Sequence, residues 1–205
     1  MLCCIVLAAG ESTRFPWNKM LYRYSGKPLV VQAVENALDS GFVDEVVVVT
    51  GYQHELVEEA LEEANLRVHV VYNEEYRIGM SSSVRKGVEY ALAHFKDLAG
   101  IMVNPGDAAW VHPGVYALLA VKFSDYSDRY DVFVASYRGR RGHPVLFSQR
   151  VFSDLLSITE EKRGLKEVTE KYKHKTMLVE TEYPGVLLDL DTVLDLNRVK
   201  ATVFK

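Results

Sequence analysis

Long apolar runs that end abruptly in small or polar residues recur along the chain. Residues 2–7 form one such run, and residues 46–49 are four consecutive valines; such runs are typical of strands that are covered on both faces. Between them, residues 30–37 place apolar side chains at helical spacing, and a predicted helix at 53–64 and a predicted strand at 67–72 follow. Strands that alternate with helices at this spacing predict βαβ units and a mainly parallel sheet.

The second half of the chain continues this alternation. We predict a helix over about 83–95, a short buried strand at 101–103, a helix that begins near Pro113 and a strand at 131–137. No internal repeat or linker interrupts the pattern, and the chain is long enough for a substantial core, so we expect one domain over residues 1–205. The predicted class is α/β, with a mostly parallel sheet between two layers of helices.

Composition narrows the class of partner. A net charge of -4 argues against a general binder of nucleic acid or of an anionic membrane, and no apolar run approaches the length of a membrane span. Cys3 and Cys4 are the only cysteines, and neighbours on a strand point to opposite faces. We therefore expect two buried free thiols and a protein of the reducing cytoplasm.

The stretch after the first predicted strand carries the first candidate site. Ala8-Ala9-Gly10 offers backbone amides without bulky side chains, and Arg14 and Lys19 follow with only Glu11 to offset them. Amides and fixed cations after a strand form a phosphate site, although a tight surface turn with two solvated cations would show the same residues. The segment matches neither the Walker loop nor the dinucleotide fingerprint.

A second polar segment, residues 73–83, ends in Gly79-Met80-Ser81-Ser82-Ser83 at the start of a predicted helix. One serine is accounted for as a helix cap, and we assign that role to Ser81. Ser82 and Ser83 supply further hydroxyls, and we favour contacts with the base, ribose or phosphate of a ligand for these two.

Two later segments carry charge at the ends of predicted strands. Asp107 follows a Pro-Gly turn, where a carboxylate can bind Mg²⁺ together with phosphate oxygens, or can simply stabilise the turn. Residues 138–141 include three arginines and precede His143. They form either an exposed basic loop or a surface that faces an anionic ligand, and His143 is either a ligand contact or a structural histidine.

Several of these segments resemble one family. Leu-Ala-Ala-Gly-x-Ser-x-Arg at 7–14, with Lys19 five residues later, closely resembles the opening of the MobA-like nucleotidyltransferases. Residues 73–83 resemble the nucleotide-contacting segment of the molybdenum cofactor cytidylyltransferases. Gly-His-Pro-Val-Leu-Phe at 142–147 and Asp-Leu-Asp-Thr at 189–192 resemble the acceptor-side strand and the acidic motif of the same family.

The chain also departs from the family pattern at three places. Pro16 stands where a glycine is usual, and Ala108-Ala109-Trp110 replaces a short residue followed by proline. In the segment 160–166 only Gly164 matches well, and Lys166 stands where arginine is usual. These departures concern the local backbone of the loop and the wall of the acceptor site.

The resemblance implies a Rossmann-like, GT-A-type fold and transfer of an NMP, with CMP from CTP favoured, onto a phosphorylated acceptor such as molybdopterin. It implies Mg²⁺ or Mn²⁺, and as partners the NTP, the acceptor, and a molybdoenzyme or another protein of the cofactor pathway. Its implied residues are Arg14, Lys19 and Asp107 for catalysis; Leu7, Ala8, Ala9, Gly10, Ser12, Lys19, Ser82 and Ser83 for the nucleotide; Arg141 and His143 for the acceptor; and Asp107, Asp189 and Asp191 for the metal.

Two alternatives stay open at this point. A relative of the same fold could use a sugar phosphate or an alcohol phosphate as acceptor, or transfer GMP, although such relatives carry a different opening loop. A nucleotide-binding regulatory module without turnover is the alternative from another class. The presence of both Lys19 and Asp107 speaks against that module.

Overall fold

The computed structural model describes residues 1–161, 164–190, 192, 195, 196 and 199. The strands are β1 (Leu2–Ala8), β2 (Arg23–Tyr24), β3 (Lys27–Pro28), β4 (Glu45–Thr50), β5 (His69–Tyr72), β6 (Gly100–Pro105), β7 (Val132–Tyr137), β8 (Arg140–Ser148) and β9 (Thr176–Glu180). The helices are α1 (Leu29–Leu38), α2 (His54–Glu63), α3 (Met80–His94), α4 (Pro113–Tyr126), α5 (Phe152–Leu155) and α6 (Leu165–Lys171).

The central sheet has the strand order β5-β4-β1-β6-β8-β7-β9. Its first four strands run parallel to one another, β8 is antiparallel to both β6 and β7, and β9 returns parallel to β7. The prediction of a mostly parallel, mixed sheet is confirmed. Because β1 lies between β4 and β6, the loops that follow these three strands meet at one edge of the sheet, where ligands bind in folds of this kind.

Helices cover both faces of the sheet, as predicted. One buried cluster joins the sheet to α1, α2 and α4, and the other joins it to α3, α5 and α6. Cys4 belongs to the first cluster and Cys3 to the second, so the two neighbouring thiols do point to opposite faces. Burial raises the pKa of both thiols, that of Cys3 to about 12.

The structure corrects two boundaries. Helix α3 begins at Met80 rather than Ser83, with Gly79 as its N-cap, so the three serines occupy its first turns and Ser81 is not the cap. Arg140 and Arg141 lie on β8 rather than in a basic loop, because the chain reverses over just two residues that both adopt positive φ, Arg138 (50°) and Gly139 (72°).

Strand β9 was not predicted. It lies at the edge of the sheet, where Val179 is its one fully buried residue, so its sequence lacks the apolar run that marks the central strands. Across the described helices, none combines the length and the apolar character that a membrane crossing requires.

Candidate active site at the carboxyl edge of the sheet

The loop after β1 and the turn after β6 are packed directly against each other. The amide of Gly106 donates to the carbonyl of Leu7 at 2.9 Å. A Cβ at Gly106 would lie 2.8 Å from Met20 Sδ and 3.0 Å from the Leu7 oxygen, so a side chain does not fit at this position. This close approach brings Asp107, on the β6 turn, to the phosphate-type loop predicted from the sequence.

Internal hydrogen bonds fix the shape of that loop. The amide of Lys19 donates to Ser12 Oγ at 3.1 Å, and the amide of Phe15 donates to the Ser12 carbonyl at 2.7 Å. Asn18 is 2% exposed, and its Nδ2 donates to the carbonyl of Tyr52 at 3.2 Å while its Oδ1 caps the short helical turn that follows. Ser12 and Asn18 therefore hold the loop, and the sequence analysis missed Asn18.

Lys19 and Asp107 form the charged centre of the site. Lys19 Nζ donates to Asp107 Oδ2, and the two side chains are only 16% and 7% exposed. The residues are 88 positions apart in sequence, and the meeting of β1 with β6 joins them. A partly desolvated pair of this kind interacts more strongly than a surface pair, because water screens it less.

A cavity of about 180 Å³ opens beside this pair. The predicted site residues that line it are Leu7, Ala9, Gly10, Lys19, Ser83 and Asp107. Met80 and Pro105 also line it. Among the other predicted residues, Ala8 is buried in the core, Ser12 binds the Lys19 amide, and Arg14 is exposed on the loop.

Asn73 organises the two serines assigned to the nucleotide. It is 2% exposed, and its Nδ2 donates to Ser82 Oγ at 2.9 Å and to Ser83 Oγ at 3.0 Å. The Ser82 hydroxyl also lies 2.9 Å from the carbonyls of Glu75 and Gly79, either of which can accept its proton. Protein groups thus surround Ser82, while Ser83 reaches the cavity.

A second cavity, of about 490 Å³, adjoins the first, since Leu7, Met80 and Pro105 line both. Both residues assigned to the acceptor, Arg141 and His143, lie in its wall. Its floor is apolar and is formed by Leu7, Val103, Val134 and Val145. Helix α6 supplies a polar wall at helical spacing: Lys166, Thr169 and Glu170.

Lys166 was predicted only as a departure from the family pattern, and Thr169 and Glu170 were not predicted at this site. The only available signal was the spacing of polar residues on α6, and that pattern is also what a solvated helix face shows.

His143, in the wall of the larger cavity, lies close enough to Asp107, in the smaller cavity, to feel its charge. Burial lowers its pKa, and the carboxylates of Asp189 and Asp107 act in the opposite direction. Both carboxylates therefore lie within electrostatic reach of one imidazole. The neutral ring can donate a hydrogen bond from one nitrogen and accept one at the other.

Of the three carboxylates predicted to bind the metal, the structure describes Asp107 and Asp189. Within the described part of the chain, no group of three or more His, Cys, Asp or Glu side chains could enclose an ion. Mg²⁺ does not need a site made entirely of protein ligands. It commonly binds one or two carboxylates and completes its coordination shell with water and phosphate oxygens, so two carboxylates are sufficient. Asp191, the third residue assigned to the metal, lies outside the described residues.

Comparison with known proteins places this geometry in a family. Residues 4–176 match the model of the MobA-like NTP transferase domain. The chain belongs to the MobA-like NTP transferase family. The resemblance seen in the sequence and the expectation of a nucleotidyltransferase enzyme are thereby confirmed.

Curated relatives of this MobA-like chain include molybdenum cofactor enzymes. The chain is 31% identical to a probable molybdenum cofactor guanylyltransferase of Thermococcus sibiricus over 59% of its own length and 55% of the relative's. It is 24% identical to the molybdenum cofactor cytidylyltransferase of Escherichia coli over 96% of its own length and 94% of that protein. The chain thus spans just over half of the first relative and nearly all of the second.

Solved structures agree with the fold. The structure of Rv0371c from Mycobacterium tuberculosis H37Rv in complex with manganese has a TM-score of 0.73 and 25% identity to this MobA-like chain, with 97% of each chain covered. The Rossmann-like architecture expected from the resemblance is therefore confirmed.

Aromatic side chains pack at two of the departures from the family pattern. Phe15 and Trp17, on either side of Pro16, pack against Tyr22, with ring centroids 5.5 Å and 6.5 Å away. Trp110, which follows the β6 turn, meets the ring of Tyr24 edge-on at 5.4 Å. In this MobA-like chain, aromatic packing therefore supports the loop where the family usually has a glycine.

Lys27, a lysine of β3 that also follows the loop, lies outside both cavities. Its Nζ pairs with Glu35 on α1, and both residues line a separate cleft with Arg23 and Glu63. Lys27 is therefore not part of either cavity at the carboxyl edge.

Proposed function

We propose that the chain acts as one nucleotidyltransferase domain that moves CMP from CTP onto a phosphorylated acceptor of the molybdopterin type. An oxygen of the acceptor phosphate attacks the α-phosphorus of the NTP. The bond from that phosphorus to the bridging oxygen breaks, and pyrophosphate leaves with the bonding electrons. The observation that carries the proposal is that two cavities share Leu7, Met80 and Pro105, so that two substrates can meet beside Lys19 and Asp107.

The smaller cavity receives the triphosphate in this proposal. The loop amides and Lys19 face the phosphate oxygens, on which negative charge grows during the reaction, and Arg14 adds a second cation from the same loop. Catalysis then rests on positioning and on charge stabilisation, and no covalent protein intermediate is needed.

A divalent cation, Mg²⁺ or Mn²⁺, would be held by Asp107 and by Asp189 or Asp191, and would offset charge on the phosphate oxygens. The manganese complex of the Mycobacterium tuberculosis relative supports this choice. In the structure the Asp107 carboxylate pairs with the ammonium of Lys19, so a bound metal would share this carboxylate with Lys19 or replace Lys19 there.

The larger cavity receives the acceptor. Arg141 would bind its phosphate, and His143 would hydrogen-bond to it near the junction of the cavities. The apolar floor suits a ring better than a polyhydroxylated sugar, because a sugar would lose hydrogen bonds to water there without replacing them. The two molybdenum cofactor relatives support this acceptor and divide on the base, and CTP rests on the resemblance of residues 73–83.

Pyrophosphate release tests this proposal. Purified protein is incubated in Mg²⁺ or in Mn²⁺ with each of the four NTPs, and with molybdopterin, a sugar phosphate or an alcohol phosphate as acceptor. We expect release to require CTP and molybdopterin, and CTP to raise the unfolding temperature by mass action. We expect Asp107→Ala to lower turnover at least about 100-fold.

Asp128→Ala removes an exposed carboxylate that pairs only at the surface, and serves as the matched control with unchanged turnover. Normal turnover of Asp107→Ala would remove the metal assignment. Binding of an NTP without release of its pyrophosphate in the presence of any of the acceptors would favour the regulatory module instead.

A further inference from the structure

The nucleotide-side helix α3 is capped by a residue from a distant turn. Its N-cap, Gly79, has no side chain to accept from the first free amides of the helix. Instead, Glu160 Oε1 accepts a hydrogen bond from the amide of Ser81 at 2.5 Å, across 79 residues of sequence. A carboxylate at this end also interacts favourably with the helix dipole.

The backbone at Gly79 is shaped around this contact. Gly79 has a φ of 127°, which side-chain-bearing residues rarely adopt, and a Cβ there would lie 2.5 Å from the Glu160 side chain. A second bond fastens the same turn to the helix, because Arg85 Nη1 donates to the carbonyl of Ile158 at 3.0 Å. The turn that contains Glu160 is thus attached to the first two turns of α3.

The two ends of this attachment belong to different cavities. Met80 and Ser83, on the first turn of α3, line the smaller cavity. The amide of Gly164, the N-cap of α6, donates to the carbonyl of Thr159 at 2.9 Å, and Lys166 and Glu170 of that helix line the larger cavity. Glu160 therefore links the wall of one cavity to the wall of the other.

We propose that Glu160 is a positioning residue, which holds the first turn of α3 in the geometry that receives the nucleotide. This inference rests on the proposed function, since it takes the smaller cavity as the NTP site. Without the Glu160 carboxylate, the Ser81 amide loses its acceptor and Met80 and Ser83 lose a fixed position. NTP binding then has to order this turn as well, and the affinity falls.

Binding measurements on three variants test the inference. The dissociation constants of ATP, CTP, GTP and UTP are measured by calorimetry in Mg²⁺ at a temperature far below unfolding. We expect Glu160→Ala to weaken the tightest-binding NTP about tenfold, as for the loss of one hydrogen bond to a charged group. Glu160→Gln keeps an acceptor oxygen and should bind within about twofold of wild type. Glu161→Ala, its exposed neighbour on the same turn, should bind as wild type does.

The outcomes separate positioning from mere stabilisation. A purely structural cap would lower the unfolding temperature of Glu160→Ala and leave the dissociation constant unchanged, which would overturn the inference. Binding by Glu160→Gln as weak as that of Glu160→Ala would also overturn it, because the hydrogen bond would not be the cause. Wild-type protein that bound none of the four NTPs would overturn the proposed function itself, and the inference with it.

Discussion

The two halves of the sheet support the two cavities in different ways. In the parallel half, the polar side chains around the smaller cavity are buried and bonded to the protein, as at Asn18, Asn73 and Asp107. In the antiparallel half, the charged residues of the larger cavity, Arg141 and Glu170 among them, are exposed at the rim of an apolar floor.

This difference indicates that the two cavities recognise their ligands differently. We call the parallel half of the sheet, with the smaller cavity, the fixed half, and the antiparallel half, with the larger cavity, the adaptable half. Buried polar groups that already have partners do not need to reorganise when a ligand arrives, which suits a triphosphate of constant shape. Exposed charges around an apolar floor can be exchanged at little cost to the fold, because surface substitutions usually change stability only slightly. The parallel half would then define the reaction, and the antiparallel half the acceptor.

The largest effect is expected from removing Lys19, the cation that lines the smaller cavity. We expect Lys19→Ala to lower kcat/KM for the NTP by about 100- to 1,000-fold, because a preorganised group that faces growing charge is lost. Steady-state pyrophosphate release measures the effect.

The matched control is Lys27→Ala, which removes a lysine that is also paired to a carboxylate but lies in a separate cleft. Equal kcat/KM values for Lys19→Ala and Lys27→Ala would contradict the assignment of the phosphate loop.

A smaller effect is expected from the rim of the adaptable half. Lys166→Met and Glu170→Gln should each raise KM for the acceptor about tenfold, because each removes one charged contact, while KM for the NTP stays near its wild-type value. Steady-state kinetics in which the concentrations of both substrates are varied would measure the two KM values separately. Lys173→Met, an exposed lysine just beyond α6, is the control. An effect confined to KM for the NTP would reverse the assignment of the two cavities.

The smallest effect concerns how α6 is held in place. Asp154 accepts hydrogen bonds from Lys171 Nζ, at 2.7 and 2.8 Å, and from the Tyr172 hydroxyl at 2.7 Å. These bonds, that of Lys171 foremost, lower the pKa of Asp154 below its ordinary value. The carboxylate therefore stabilises the fold above that ordinary value, and the contribution is lost as the pH falls through the lowered pKa.

Asp154→Asn should accordingly lower the free energy of unfolding by about 1 kcal/mol near pH 7, and by less near about pH 3. Urea unfolding at the two pH values measures the difference. A loss that grew on acidification would show that the pair does not act through its charge. NTP affinity should be unchanged, because α6 lines the larger cavity and not the smaller one.

The sequence made the fixed half predictable because its signals are local. The apolar run of β1, the small residues after it and the position of Lys19 stand within one stretch, and the resemblance added the serines of α3. The pairing of Lys19 with Asp107 required the order of strands, which periodicity alone does not give. The role of Asn18 was not predicted, because one asparagine in a loop carries no periodic signal.

The acceptor half was harder to predict for physical reasons. Strand β9 is short and partly exposed, so it lacks the apolar pattern that marks a buried element. Glu160 acts across 79 residues, and no spacing rule connects it to Ser81. Arg141 and His143 were assigned by resemblance, and the structure places both in the larger cavity.

The shared boundary formed by Leu7, Met80 and Pro105 constrains how such an enzyme can diverge. If the larger cavity binds the acceptor as proposed, a substitution on α6 would alter the fit of that substrate alone, so a lineage could explore new acceptors there while its nucleotide chemistry continues. A substitution at the boundary changes the fit of both substrates at once. Natural variation and directed evolution should therefore accumulate on the helix and avoid these three positions.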